Sequence, residues 1–336
     1  MSAADIEEYS DVWVFVEQHD GDVANVSWEL LAEGRRLADD KGEQLVAVVF
    51  GEGDVLEEVA EDAIERGADR VFVADDPIFE PYRADPYGEQ FRALVDERKP
   101  DIVLIGGTHT GRDFAGRVAV PTHGGLTADC TELEIDEDGQ LEATRPTFGG
   151  TVLARIICPE HRPQMATLRP GVFDAHEPDP DREGEVEEVE VVAEEEDALS
   201  EVLEREVGDV ADITDAEVLV AGGAGVDGNF EPIEELAEAL GGDVAATRAA
   251  VDEGWIDAER QVGQTGKTVR PELYVACGIS GAVQHLEGMD DSDVVVAINT
   301  DPNANIFDNA DYGIVGDFEE ICPKLADLVR KQEVTA

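Results

Sequence analysis

Two stretches, Gln261–Lys267 (QVGQTGK) and Pro271–Met289 (PELYVACGISGAVQHLEGM), crowd hydrogen-bonding side chains and glycines onto the exit of an apolar run, Leu273–Cys277. A helix following such a run aims unpaired backbone N–H groups at the exit, which suits an anion such as a nucleotide diphosphate. Gly278 and Gly281 permit a tight turn and close backbone approach. Ser280 falls at the expected helix start, where its hydroxyl either caps the helix or meets the diphosphate. Gln264 and Thr265 stand between Gly263 and Gly266, in a loop with no packing reason to be so polar, and Gln284 and His285 add two more polar groups. Such a collection fits a flat heterocycle with polar edges. Neither a pair of carboxylates placed for acid–base work nor a Ser–His–Asp set is evident, so hydrolysis is not expected. Cys130, Cys158, Cys277 and Cys322 lie far apart without C-x-x-C spacing, and they read as buried thiols, not as metal ligands or a redox dithiol.

The elements that must position these residues follow an alternating rhythm. Val12–Val16, Leu45–Phe50, Arg70–Val73 and Ile102–Gly106 read as strands, separated by helices at Ser27–Asp39, Val55–Arg66 and Tyr87–Glu97. That pattern predicts a mostly parallel sheet covered on both faces. From Cys130 to Val192 the rhythm changes to short strands at Thr131–Ile135, Gln140–Arg145, Thr151–Ile157, Met165–Leu168 and Glu185–Val192, read as an antiparallel extension with a hairpin turn at Asp136–Gly139. Glu177–Gly184 is rich in Pro, Asp and Glu and should be exposed; Glu194–Asp212 reads as an acidic linker or surface helix. A domain boundary is placed near residue 208. The second domain restarts with the strand Glu217–Ala221, the turn Gly222-Gly223-Ala224-Gly225 and the helix Phe230–Leu240, and strands recur at Asp243–Ala245, Leu273–Cys277, Val294–Ile298 and Tyr312–Val315. The fold class is thus α/β: two doubly wound domains, residues 1–208 and 209–336, each with a mostly parallel sheet.

Composition bounds the partners. Eighty acidic against 24 basic residues in 336 give a formal charge of −56, a field that repels nucleic acid and anionic membrane surfaces. Hydrophobic content is still 42%, enough for folded domains, so the acids read as a solvated surface of the kind suited to a high-salt cytoplasm, where screening shortens their repulsion. The N-terminus MSAADIEEYSD lacks the basic and apolar regions of a signal peptide, and no apolar run reaches membrane-spanning length; a cytoplasmic protein without membrane insertion is expected.

At QVGQTGK and GISGAVQHLEGM, and again at ATRAAVDEGW (Ala246–Trp255), VVVAINTDPNANIF (Val294–Phe307) and ADYGIVGD (Ala310–Asp317), the chain resembles the alpha subunit of electron transfer flavoproteins in order and spacing. RPTFGG (Arg145–Gly150) and CPEHRPQMATLRPGVF (Cys158–Phe173) extend the resemblance through the first domain. It implies a second domain that binds flavin adenine dinucleotide (FAD), a beta subunit completing a heterodimer, and a carrier, not a stand-alone enzyme. Such a carrier takes electrons from flavin dehydrogenases, for example those acting on acyl-CoA in fatty acid β-oxidation, and passes them to a quinone-linked oxidoreductase. It also implies site roles. Arg248 would lie over the isoalloxazine, Thr265 and Gln264 would bond the flavin edge near N5, and His285 its pyrimidine carbonyl, with Val262 and Gly263 lining the ring. Thr247 and the run Ser280, Gly281, Ala282, Val283 and Gln284 would hold the ribityl chain and diphosphate, and Asn299 and Asp317 the adenosine half.

Plainer readings stand beside these. Arg248 could pair with Asp252 one helical turn away, Asp317 could be one more solvated carboxylate, and Arg and Pro of the first-domain motifs could clamp loop carbonyls instead of meeting a partner. One departure is evident: where the family usually has G-G-R-G, this chain has Ala224, and a cation close to the cofactor phosphates is lost. Three other functions fit parts of the pattern: an electron-bifurcating member of the family, an NAD-dependent transferase or deacetylase using Lys267 or His285, and a non-catalytic adenine-nucleotide sensor.

Overall fold

A computed structural model describes residues 6, 8–147, 152–204, 213–214 and 216–333. The chain divides into two compact units, Met1–Arg205 and Glu206–Ala336. The boundary expected near residue 208 falls within residues 205–212, outside the described ones.

The first unit contains β1 (Ser10–Val16), α1 (Asn25–Lys41), β2 (Leu45–Gly51), α2 (Val55–Glu65), β3 (Arg70–Asp75), α3 (Ala84–Arg98), β4 (Pro100–Gly106), α4 (His109–Thr122), β5 (Gly125–Cys130), β6 (Glu132–Ile135), β7 (Leu141–Thr147), β8 (Val152–Ile157), β9 (Gln164–Leu168) and β10 (Glu185–Glu188). Among the described residues its main sheet has seven strands in the order β10-β3-β2-β1-β4-β9-β5, all paired in parallel. Central strands such as β2, buried at every position, read as continuous apolar runs because both faces are covered. Val12, Val14 and Val16 of β1 pack against Leu30, Leu31 and Leu37 of α1 on one face. On the other, Trp13 and Phe15 meet an aromatic layer of Phe50, Phe72, Phe91 and Phe114, the Phe15 and Phe114 rings lying 4.6 Å apart.

Two features differ from expectation. The helix α4 was not foreseen, although Thr108 caps it by accepting from the Gly111 N–H at 2.8 Å and Phe114, Ala115, Val118 and Ala119 form its buried stripe. Of the strands assigned to an antiparallel extension, β6, β7 and β8 do form a separate three-stranded antiparallel sheet, but β9 and β10 join the main sheet in parallel. β9 is buried at all five positions, so it belongs between two covered faces. The Asp136–Gly139 turn forms as expected, with Asp136 Oδ1 accepting from the Asp138 and Gln140 N–H groups.

Buried charge anchors the antiparallel sheet to the main one. Asp101 at the start of β4 forms ion pairs with Lys41 Nζ at 2.8 Å and with the Arg162 guanidinium, and accepts from Gln164 Nε2. Arg162, 2% exposed, also donates to the carbonyls of Cys158 and His161, so this arginine of the CPEHRPQ motif is an internal clamp. Arg169 forks onto Asp129 at 3.0 and 2.8 Å. Residues 148–150 of RPTFGG lie outside the described residues.

The second unit contains β11 (Val218–Gly222), α5 (Glu231–Leu240), β12 (Asp243–Thr247), α6 (Arg248–Asp252), β13 (Gln261–Val262), β14 (Leu273–Cys277), α7 (Val283–Leu286), β15 (Val294–Asn299), β16 (Tyr312–Val315) and α8 (Phe318–Glu333). Its parallel six-stranded sheet runs β13-β12-β11-β14-β15-β16. Ile233 and Leu236 of α5 and Cys322 and Ala326 of α8 cover one face; Val262, Tyr274, Met289 and Ile306 pack on the other. Among the described residues no helix is long and apolar enough to cross a membrane.

Candidate cofactor-binding site

In the second unit the first three strands run outward in one direction from β11 and the next three in the other from β14. Loops leaving two adjacent strands in opposite directions open a crevice at their carboxyl ends, the usual ligand position in open α/β sheets. The turn after β11 and the turn after β14 meet there, with the Gly225 N–H donating to the Gly278 carbonyl at 2.9 Å. Gly278 has φ +60°, and a Cβ on it would stand 2.9 Å from the Gly225 backbone, so side chains are excluded from this junction.

A cleft of 770 Å³ opens above it, lined among others by Thr247, Arg248, Val262, Gly263, Gln264, Thr265, Ser280, Ala282, Gln284, His285 and Asn299. Eleven of the fourteen residues expected at the site are therefore gathered on one surface. Asp317 is not among them. It lines an adjoining recess of 250 Å³ with Gly225, Gly278, Asn299, Phe318 and Glu319, and its Oδ1 accepts from the Glu319 N–H at 3.0 Å as a cap on α8. Gly281 and Val283 line neither space: Gly281 is buried against the backbone of Asn305 and Ile306, and Val283 points to solvent, 73% exposed.

The loop carrying Gln264 and Thr265 is stapled to the segment following β14. The Gln264 N–H donates to the Gln284 carbonyl at 2.7 Å and the Val269 N–H to the Gly288 carbonyl at 2.9 Å. His285 joins the same seam. Its ring is buried, with Nδ1 3.1 Å from the Val262 carbonyl and Nε2 3.1 Å from the Tyr274 hydroxyl. The compatible arrangement is a neutral ring that donates from Nδ1 and accepts at Nε2. Burial holds its pKa below the ordinary value, against the opposing pull of the Val262 carbonyl.

A family model matches within each unit: "Electron transfer flavoprotein domain" over residues 12–194 and "Electron transfer flavoprotein FAD-binding domain" over residues 212–290. The chain belongs to the electron transfer flavoprotein family, as an alpha subunit. Relatives agree along nearly the full length. "Protein FixB" of Clostridium saccharobutylicum is 50% identical over 325 residues, covering 95% of this chain and 96% of the relative. "Electron transfer flavoprotein subunit alpha" of Thermoanaerobacterium thermosaccharolyticum is 47% identical over 328 residues, covering 96% and 99%. "Acryloyl-CoA reductase electron transfer subunit beta" of Anaerotignum propionicum is 42% identical over 362 residues, covering 98% of each. The second unit of this alpha subunit is thus a FAD-binding domain, and the NAD-transferase and nucleotide-sensor readings give way to it.

The residues present fit a flavin nucleotide. Thr247 Oγ1, at the cleft wall, is buried without a hydrogen-bond partner among the described residues, an expensive arrangement unless a ligand group meets it. Gln264, Thr265, Ser280 and Gln284 present exposed polar groups around the same space. Ser280 differs from expectation: it precedes a helix of only four residues, α7, whose N-cap is Ala282, so its hydroxyl is not a capping group. Arg248 reaches Asp252 at 3.3 Å along α6 while also bordering the cleft, so the plainer pairing and the site position coexist. His285 has both ring nitrogens engaged within the protein, and a bond from its ring to a flavin carbonyl requires one of these contacts to break.

Sequence reasoning missed Tyr274, Ile279, Asp301 and Ala304. Tyr274 carried a readable signal, since a hydroxyl on a largely buried strand needs a partner. Asp301 and Ala304 came to the cleft through the close return of the loop after β15 toward Ser280, whose carbonyl accepts from the Ile306 N–H at 3.2 Å, and Ile279 lines it from the turn after β14.

Proposed function

We propose that the cleft above the β11–β14 junction holds FAD, with the isoalloxazine near Val262–Thr265 and Arg248, the ribityl and diphosphate groups along Thr247 and Ser280–Gln284, and the adenosine half toward Asn299 and the recess of Asp317. The observation that carries this reading is the orphaned Thr247 hydroxyl in a wall of otherwise exposed hydrogen-bonding groups. When bound, FAD supplies the redox chemistry, and the chain tunes and exposes it. Gln264 and Thr265 offer donors and acceptors to the ring edge from a loop held rigid by Gln284 and His285. Arg248 contributes a permanent positive charge that favours the reduced, anionic state of the ring. Val262, under the ring, is 1% exposed and keeps that side dry. His285 acts through position: it fixes the Val262 carbonyl and thereby the loop.

Asn299 braces the adenosine end. Its Nδ2 donates to the Ile279 carbonyl at 2.8 Å, and its Oδ1 accepts from the Asp301 N–H at 2.9 Å, linking the turns after β14 and β15.

The alpha subunit works with a beta subunit, and the antiparallel sheet of the first unit is the proposed contact. Its strand β8, at the sheet edge among the described residues, leaves Val152, Leu153, Ile156 and Ile157 exposed. The heterodimer then carries electrons in the cytoplasm from flavin dehydrogenases to a quinone-linked oxidoreductase. The similarity to an acryloyl-CoA reductase electron transfer subunit supports acyl-CoA chemistry upstream. The test is co-expression with the beta partner, purification in molar salt, and visible spectroscopy during reduction by an acyl-CoA dehydrogenase and its substrate. A yellow complex that bleaches is expected. A yellow complex that this dehydrogenase fails to bleach would remove acyl-CoA oxidation as the electron source.

A further inference from the structure

Cys277 and Cys322, 45 residues apart in sequence, have their sulfurs 3.6 Å from one another inside the second unit. Both are free and buried. Cys277 ends β14 immediately before the Gly278 turn, and Cys322 lies in the second turn of α8. We propose that this pair is an oxidation site that closes to an intramolecular disulfide on exposure to a hydroperoxide.

Three observations carry it. The sulfurs already touch, so bonding at about 2.05 Å requires an approach of roughly 1.5 Å, within the adjustment available to two side chains and one helix turn. The thiols lie within hydrogen-bonding distance and either can donate; with Cys277 as the donor, the Cys322 sulfur is held at a lowered pKa and is the better nucleophile. The pair also lies close to a recess. Both sulfurs are buried and neither lines it, but Gly278, next to Cys277, and Phe318 and Glu319, one turn before Cys322, border the open recess of 250 Å³, so a local opening of this edge brings a molecule as small as hydrogen peroxide to the pair.

In the reaction the Cys322 thiolate attacks one peroxide oxygen, the O–O bond breaks, and hydroxide leaves with the Cys322 sulfur as a sulfenic acid. The Cys277 sulfur then displaces that oxygen as a second water. In sum, two thiols and one hydrogen peroxide give one disulfide and two waters, with the sulfurs oxidised by two electrons and the peroxide reduced by two. The other cysteines do not share this geometry: Cys130 is buried on β5, and burial raises its pKa to about 12.

The test uses the purified alpha–beta complex in high salt. After treatment with hydrogen peroxide, free thiols are blocked with N-ethylmaleimide and the protein is digested without reductant for mass spectrometry. The expected result is one linked species joining the Cys277 and Cys322 peptides, an alpha chain lighter by two hydrogens, Cys130 and Cys158 alkylated, and full reversal by dithiothreitol. Cys322→Ala should abolish the linkage. If that variant folds poorly, the peptide map of the unaltered protein still decides. Four alkylated cysteines after treatment, sulfinic or sulfonic acid at Cys322, or a linkage through Cys130 or Cys158 would overturn the proposal. Because the recess beside the pair is also the place proposed for the adenosine half of FAD, the treatment is run with FAD bound and after its removal; absence of the linkage in both states overturns the proposal, whereas a linkage seen only after removal upholds it and reports shielding by the cofactor.

Discussion

His285 shows how a residue type can mislead about its role. An imidazole beside a nucleotide turn suggests a donor to the ligand, yet here the ring joins the Val262 carbonyl to the Tyr274 hydroxyl. Tyr274→Phe removes the donor to Nε2 and leaves a buried acceptor unpaired, at a cost of about 1–3 kcal/mol. Urea unfolding in high salt measures it, and the same substitution in a His285→Gln background should cost clearly less if the two are partners. Burial lowers the pKa of His285, so the unfolded chain binds a proton more readily than the native one. That contribution to stability is complete above a pH of about 6.5, the unfolded value, and is lost as pH falls through the lower native one. Unfolding midpoints between pH 7.5 and 5 should decline, and the decline should be shallower in His285→Gln. Thr247→Val keeps the shape and removes the orphaned hydroxyl. It should weaken FAD binding by about 1 kcal/mol, several-fold in Kd by fluorescence titration, while leaving stability unchanged or raised.

At the scale of elements, loops after strands decide affinity and buried ions decide register. The turn after β11 borders the cleft at Ala224, where the family resemblance leads to the expectation of an arginine, and nearby Asp252 and Asp301 line the same space. Ala224→Arg should tighten FAD binding by about 1 kcal/mol in low salt, with a smaller gain in molar salt because screening weakens a surface cation's pull on phosphate. In the first unit Arg162 and Lys41 together compensate Asp101 under the antiparallel sheet. Arg162→Ala strands part of that charge and should destabilise the first unit by about 3–5 kcal/mol, seen as an earlier unfolding transition. Most elements were legible in sequence because apolar period and turn residues report burial locally. Helix α4 was not, since Pro121 and a short apolar stripe obscured its period. Strand β9 reads as part of an antiparallel extension because no long helix separates it from its neighbours, while its true partners, β4 and β5, begin 64 and 39 residues earlier.

For the whole molecule the governing quantity is a formal charge of −56 on 336 residues. Self-repulsion opposes the compact state, and ions within a Debye length of about 3 Å at 1 M salt screen it, against about 10 Å at 0.1 M. Unfolding midpoints should therefore rise steeply from 0.1 to 2 M KCl. A flat profile would mean that the acids are already offset by local pairs such as Arg83–Glu195 and Arg35–Asp69. FAD affinity should rise over the same range, since the dianionic diphosphate enters a space edged by carboxylates.

What the sequence determined by itself is whatever nearest neighbours along the chain encode: alternating strands and helices, two α/β units, and the polar loops at the ends of β13 and β14 that make a nucleotide cleft. Tertiary structure alone decided which distant groups meet. It placed the Cys277 and Cys322 sulfurs 3.6 Å apart, turned the His285 ring inward onto a carbonyl 23 residues away, and put β9 into the parallel sheet. The physical reason is that periodicity records how deeply a residue is buried, whereas partnership depends on where the chain crosses the sheet, and that is decided by the packing of all the strands at once.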